Sequence, residues 1–156
     1  MKLQKGQTLL EVLIALGILS IIMSSLIVVI LSALNNANFG KNQNLATQYA
    51  QEGMEIMRNI RDQNYGTFSS LAGTYCIPEN CHDSQCFIAT PCTVNIKTEF
   101  VRKVTINRNA AVCGGVSTKS TLAVSWNDGK CKTRSTYCHN VTLTSCLSSL
   151  DVQPAP

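Results

Sequence analysis

The chain has 156 residues, a formal charge of +4 and only 14% charged side chains. That length allows one small domain with one core and is too short for two. Because globular proteins usually carry about 25% charged residues, the deficit indicates a long uncharged segment.

The chain begins with a basic leader at 1–6, which contains Lys2 and Lys5, and then becomes apolar. The run from Val12 to Leu34 has no charged residue and no proline. As a helix it is about 35 Å long, enough to cross a hydrocarbon layer of about 30 Å. The next basic residue is Lys41, so the charge distribution favours a cytoplasmic N-terminus with the rest of the chain outside. We therefore expect a single pass through the cytoplasmic membrane.

After the apolar run the helical period continues, but the pattern becomes half polar. The apolar residues recur at spacings of three and four. They are Leu45, Ala46, Tyr49, Ala50, Gly53, Ile56, Met57 and Ile60. We expect this stripe to lie on a globular head. The predicted division is a leader at 1–6, a membrane or filament-core helix at 7–36, an amphipathic helix at 37–64 and a head at 65–156.

The head is predicted to contain a cysteine-pinned loop at 65–93 followed by a small antiparallel sheet. Three strand-like runs each have one apolar face. They are Phe100, Val104 and Ile106; Leu122, Val124 and Trp126; and Tyr137, Val141 and Leu143. A sheet of three to four strands packed on the amphipathic half of the helix buries all these stripes. The predicted fold class is therefore α+β.

Eight cysteines all lie beyond the membrane segment, an even number that favours disulfides in an oxidising compartment. They are Cys76, Cys81, Cys86, Cys92, Cys113, Cys131, Cys138 and Cys146. None forms the Cys-x-x-Cys pair typical of structural zinc, so we predict no metal. Eight cysteines permit 105 pairings. Our preferred pairing joins the first four among themselves and Cys131 to Cys138.

Catalysis has little support in the sequence. No nucleophile motif, Gly-rich phosphate loop or carboxylate pair occurs, and no cofactor is predicted. The histidines, His82 and His139, are more consistent with structural roles than with catalytic ones.

Basic residues outnumber acidic residues from Asn95 onward. Seven of the eight basic residues there form a candidate set: Arg102, Lys103, Arg108, Lys119, Lys130, Lys132 and Arg134. Such a set is a candidate anion-attracting patch for DNA, and the alternative is ordinary solvated strand faces. No aromatic residues are interleaved for base stacking, which favours the alternative.

Glu11 stands at the start of the uncharged span. An ionised carboxylate within a membrane segment costs several kcal/mol unless it is paired. One interpretation is a tolerated flanking charge at headgroup level. An ordinary secretory signal is a second alternative, but its apolar core should be only about 7–15 residues.

The stretch from Lys5 to Leu19 resembles the class III signal of type IV pilins and type II secretion pseudopilins. The features that carry the resemblance are a basic leader, a glycine, and Thr8-Leu9-Leu10-Glu11 running into an apolar helix. The resemblance implies a pilin-like fold and cleavage by a prepilin peptidase between Gly6 and Gln7. It also implies that Glu11, with Thr8, Leu9 and Leu10, takes part in assembly.

The implied function is a non-catalytic subunit that assembles into, or primes, a pilus or a secretion pseudopilus. The implied partners are other pilin or pseudopilin subunits, the prepilin peptidase, an inner-membrane assembly platform and, before assembly, the membrane. Two departures favour a minor subunit. Gln7 replaces the usual first phenylalanine, which leaves N-methylation and cyclisation as alternatives, and Val28 stands where many major pilins have proline.

Two other classes remain open at this stage. The first is a membrane-anchored binding module whose head captures DNA or another anionic ligand outside any filament. The second is an anchored thiol or metal enzyme.

Overall fold

The computed structural model describes residues 5–92, 96–97, 99–108, 110–114, 117–129, 131 and 137–149, with side chains from Leu9 onward. The chain divides into two compact units, Met1–Lys41 and Asn42–Pro156. Helix α1 (Lys5–Gln63) contributes to both.

In the first unit, every described side chain from Leu9 to Phe39 is exposed. Among the described residues, one helix is long enough and apolar enough to cross a membrane, judged by length and composition, and this segment belongs to it. The hydroxyls of Ser20, Ser24 and Ser25 donate to backbone carbonyls one turn earlier, at 2.7–2.8 Å. Because these hydroxyls are satisfied inside the helix, they do not oppose an apolar environment.

In the second unit, α1 presents the predicted apolar stripe to the head. The buried members of the stripe are Ala46, Ala50, Gly53, Ile56, Met57 and Ile60. Met54, which was not in the predicted stripe, is also buried. Leu45 and Tyr49 lie partly buried at the margin of the same cluster. The amphipathic period therefore predicted the buried face of this half correctly.

The head contains a five-stranded antiparallel sheet in the order β2-β1-β3-β4-β5. Its strands are β1 (Gly73–Cys76), β2 (Ile88–Ala89), β3 (Phe100–Asn107), β4 (Thr118–Trp126) and β5 (His139–Leu147). The α+β, pilin-like fold predicted from the sequence is confirmed, with five strands instead of three to four.

The segment 65–93, predicted as a loop, carries two of these strands. It also contains helix α2 (Tyr65–Ser70) and a 3₁₀ turn (Ser84–Cys86). Strands of four and two residues are too short to show a period of two, so neither was visible as a pattern. The third predicted run was right for Val141 and Leu143, whereas Tyr137 lies before β5 begins.

The sheet has one face toward α1 and one face away from it. Register places Phe100 opposite Trp126 and Val104 opposite Leu122, which puts these apolar side chains on the covered face. On the other face, threonines align across the strands, with Thr105 opposite Thr121 and Thr121 opposite Thr144.

Helix and sheet approach most closely at Gly53. A Cβ atom added there would lie 2.8 Å from Leu122 Cδ1 and 3.0 Å from Arg102 Cδ. Glycine at this position lets the helix backbone lie directly against the side chains of β3 and β4.

Candidate functional site

The motif predicted to direct processing and assembly lies at the start of α1. The helix includes the backbone of Gly6, Gln7 and Thr8, whose side chains are outside the described part. Leu9, Leu10 and Glu11 follow, and all three are exposed. The whole motif is therefore presented on one short helical segment.

Glu11 is the one charged residue in the sequence between Leu9 and Gly40. It makes no hydrogen bond or ion pair to any side chain that the structure describes. Glu11 is four positions after Gln7, so the two positions lie on the same face of the helix, about one turn apart. An amine created at Gln7 would therefore be close to the level of this carboxylate along the helix axis.

From Val12 to Leu34 the helix surface is uncharged and predominantly apolar on every side. The hydroxyls of Ser20, Ser24 and Ser25 interrupt it, but they bond to the helix backbone. A helix of this kind is typical of an apolar phase. Lipid and a bundle of similar helices are the two phases that fit such a surface.

The predicted basic patch loses one of its members, because Arg102 is fully buried. Its guanidinium donates to the carbonyl oxygens of Tyr49 at 3.1 Å, Ile77 at 3.2 Å and Pro78 at 2.9 Å. Nη1 also lies 3.3 Å from Glu52 Oε1. Burial lowers the pKa of Arg102, and the Glu52 carboxylate partly opposes that shift. Arg102 is therefore a structural cation that links α1, the loop after β1, and β3.

The other described members do not form one patch. Lys103 and Arg108 are exposed and Lys119 is half-buried. Lys103 pairs with Ala123, four residues along β4 from Lys119, which separates the two lysines by about 13 Å along the strand. Lys130, Lys132 and Arg134 lie outside the described residues.

The histidines lie in structural surroundings. His139 Nε2 is 3.1 Å from Asp128 Oδ2, and its ring lies 5.4 Å from that of Trp126. His82 lines a shallow hollow beside Glu52 and Glu55.

One group of side chains has the composition of a metal site. Ligand atoms of Asp128, Cys131 and Cys138 lie within 4.8 Å of one another. However, the two sulfurs are bonded to each other, so this group offers no thiolate to a cation.

All eight cysteines are paired. The bridges are Cys76–Cys92, Cys81–Cys86, Cys113–Cys146 and Cys131–Cys138. This agrees with the preferred pairing from the sequence, in which the first four cysteines pair among themselves. The remaining bridge, Cys113–Cys146, was not predicted; it ties the 3₁₀ turn Ala111–Cys113 to β5.

The assignment of Arg102 to an exposed basic patch could have been corrected from the alternation of the strand. In a strand, residues two apart share a face, and Arg102 has the same parity as Phe100, Val104 and Ile106. Those three residues were already assigned to the apolar face, so a buried arginine among them was implied.

Comparison with protein families matches residues 1–27 to the prokaryotic N-terminal methylation motif. This motif is the hallmark of type IV pilin and pseudopilin precursors, so the resemblance found in the sequence is confirmed. Proteins with the motif are generally structural, non-catalytic subunits that are processed by prepilin peptidase and assemble with other pilin subunits.

The matched residues cover the leader, the processing site and the first part of α1, but not the head. A search of curated proteins and a search of solved structures gave no significant match. The motif is therefore typical of pilin-type precursors and does not separate a major subunit from a minor one.

Proposed function

We propose that this chain is a minor pilin or pseudopilin that assembles through its N-terminal helix into, or primes, a type IV pilus or a type II secretion-like filament. The observation that supports this most strongly is a helix that is exposed, uncharged and predominantly apolar from Val12 to Leu34, with a single carboxylate at its start. Such a surface needs other helices, or lipid, to cover it.

Processing supplies the group that Glu11 lacks. Cleavage between Gly6 and Gln7 leaves an α-amino cation at the new N-terminus. In a bundle of staggered helices, the Glu11 carboxylate of an arriving subunit pairs with the amine of a subunit already in place. Pairing neutralises two charges in an apolar core and fixes the axial register. Thr8, Leu9 and Leu10 surround this contact.

The location follows from the charges that flank the span. Lys2 and Lys5 hold the N-terminus in the cytoplasm, where the peptidase and the assembly platform act on it. The head, with its four disulfides, lies outside the membrane before and after assembly. The finished filament is extracellular or periplasmic.

The identity of Gln7 and Val28 favours a minor subunit. An N-terminal glutamine can cyclise to a ring without charge, which would remove the cation available to the Glu11 carboxylate of an arriving subunit. A subunit with a cyclised end therefore fits only a position, such as one end of the filament, where no other subunit's Glu11 depends on its amine.

Substitution of Glu11 by glutamine tests the proposed mechanism. In the membrane Glu11 lies near the boundary, so Glu11→Gln should be inserted and cleaved normally. In the filament it should strand the neighbouring amine at a cost of about 3–5 kcal/mol. Docking to partner subunits should therefore weaken by roughly a hundredfold or more. The measurements are incorporation into sheared filaments and subunit pull-down in detergent.

Leu13→Ile provides the matched control for packing alone. Mass spectrometry of the mature N-terminal peptide should show that it starts at Gln7, with Lys2 and Lys5 removed. If Glu11→Gln assembles as well as Leu13→Ile, the carboxylate is only a flanking charge. A mature end near Ala33–Ala37 would instead identify an ordinary secretory signal.

The binding-module alternative gains no specific support. With Arg102 buried, the described members of its basic set are Lys103, Arg108 and Lys119, and two of these are well separated on the sheet. Capture of DNA by the head therefore stays a weaker hypothesis.

A further inference from the structure

Strand β5 forms one edge of the sheet and carries none of the usual protection of an edge. It pairs with β4 over nine consecutive positions without a bulge, from His139 to Leu147. It contains no charged residue other than a histidine and no proline. Natural edge strands are usually short, bulged, charged or interrupted by proline, because an open edge pairs readily with another strand.

The outer side of β5 has backbone groups to offer. In an antiparallel pair, alternate residues direct their N–H and C=O groups away from the partner strand. Within the described part of the chain, no strand lies beyond β5, and the loop and turn hydrogen bonds between backbone groups do not involve residues 140–147.

The opposite edge of the same sheet is built differently. Strand β2 has two residues, and Pro91 follows it closely. A two-residue edge offers too few backbone groups for stable pairing. Among the residues that the structure describes, the sheet is therefore blunted at the β2 edge and open at the β5 edge.

The two faces of β5 indicate the chemistry of what it can bind. Val141 and Leu143 lie half-buried on the face toward α1, at the margin of the core. Asn140, Thr142 and Thr144 are exposed on the other face. In a strand added here, every second side chain would cover Val141 and Leu143. The side chains between them would lie beside Asn140, Thr142 and Thr144 on the other face.

We propose that β5 is a strand-addition surface that binds an extended segment of another protein, uncharged and apolar at alternate residues. Only an extended backbone can satisfy alternating donors and acceptors along a strand edge. Because β5 has no lysine, arginine or carboxylate, main-chain hydrogen bonds and the Val141–Leu143 margin supply the affinity. The inference does not require the chain to form filaments.

The probe for this surface is a peptide of alternating valine and threonine whose two ends are polar and uncharged. Methylation of alternate backbone nitrogens leaves it one pairing edge, which limits its self-association to a dimer, so it is used at concentrations where it is monomeric. Full-length protein in detergent should bind this peptide. Hydrogen exchange should show alternate amides of β5 exchanging rapidly in the free protein and slowly in the complex. A peptide methylated at every nitrogen should not bind.

Two variants locate the binding edge. Thr142→Lys places a charge on the exposed face of β5 and should weaken binding by about tenfold or more. Ile88→Lys adds the same charge to β2 at the other edge, where the side chain is 54% exposed, and should leave binding unchanged.

Four results would overturn the proposal. They are uniform protection of β5 amides in the free protein, equal binding of the fully methylated peptide, equal effects of the two lysine variants, and self-association of the free protein that Thr142→Lys abolishes. The last result would mean that the edge is occupied by a second copy of this chain.

Discussion

The two compact units each contain a charge in apolar surroundings, and they treat it in opposite ways. In the head, Arg102 is fully buried and is held by three backbone carbonyls and the Glu52 carboxylate. In the first unit, Glu11 is exposed at the start of an apolar helix and has no partner among the described side chains. The head satisfies its charge within the chain, whereas Glu11 has no such partner among the described residues; under the proposed function its partner is another subunit.

The same contrast holds for apolar surface. The head closes a core around Met57, Phe68 and Leu122, each with essentially no exposed surface. The first unit exposes all of its large apolar side chains from Leu9 to Leu34. A segment that is complete only in the presence of lipid or other helices is built for association, and a head with its own core can remain folded through both states.

This comparison can be tested with one internal probe. Trp126 is the single tryptophan of the chain and lies buried in the head, so its fluorescence during unfolding reports on the head alone. Changes within the head should move this signal, and Glu11→Gln should not.

The largest effect on the head should come from the bridge that closes the longest loop. Cys113 and Cys146 are 33 residues apart, and Cys131 and Cys138 are 7 apart. Chain entropy predicts losses of about 4 and about 2 kcal/mol when each pair is changed to alanine. Denaturant unfolding of the two double variants gives the comparison. Neither bridge contains a buried residue, so the pairs are matched in burial. Equal losses would show that loop length does not control their contribution.

The next largest effect is expected at Arg102. Arg102→Met keeps an unbranched apolar stem but removes the guanidinium and leaves three carbonyl oxygens without this donor, which should cost about 3 kcal/mol. Arg102→Lys keeps the charge but cannot reproduce the fan of donors, so its loss should be intermediate. The measurement is the free energy of unfolding. A methionine variant as stable as the parent would show that the cost of burying the guanidinium cancels all its hydrogen bonds.

A smaller effect is expected where helix and sheet touch. Gly53→Leu drives a side chain into Leu122 and Arg102 and should destabilise the head by about 1–3 kcal/mol. Gly40→Leu is the matched control, because nothing lies within 4 Å of a Cβ at that position. The control should be neutral or slightly stabilising, since leucine is the better helix former. Thermal unfolding of both variants decides whether close packing or helix propensity dominates at Gly53.

Much of this architecture was predictable because long, periodic elements carry a strong signal. The uncharged run, the amphipathic stripe and the three long strands each repeat their pattern several times. The short strands β1 and β2 do not, and their positions depend on pairing with β3 and with each other. The motif around Glu11 was readable because a single charge breaks an otherwise apolar run. The burial of Arg102 was missed because charge was weighed above strand parity.

The smallest predicted effect concerns Glu52. It separates the contribution of the Glu52 carboxylate to holding Arg102 from that of the three backbone carbonyl oxygens. The Glu52 side chain is 50% exposed although it lies 3.3 Å from the guanidinium, so water screens the ion pair. Glu52→Gln should therefore cost less than about 1 kcal/mol, and high salt should reduce that loss further. Glu55→Gln is the control on the same helix, because its partner Arg58 is itself 46% exposed, and its effect should be close to zero. Unfolding of the two variants at low and high salt gives the comparison. If Glu52→Gln costs as much as Arg102→Met, the ion pair, and not the carbonyl oxygens, holds the arginine in the head. The two units would then differ only in where the cation lies: Glu52 pairs with Arg102 of the same chain, and Glu11 is proposed to pair with an amine of another subunit.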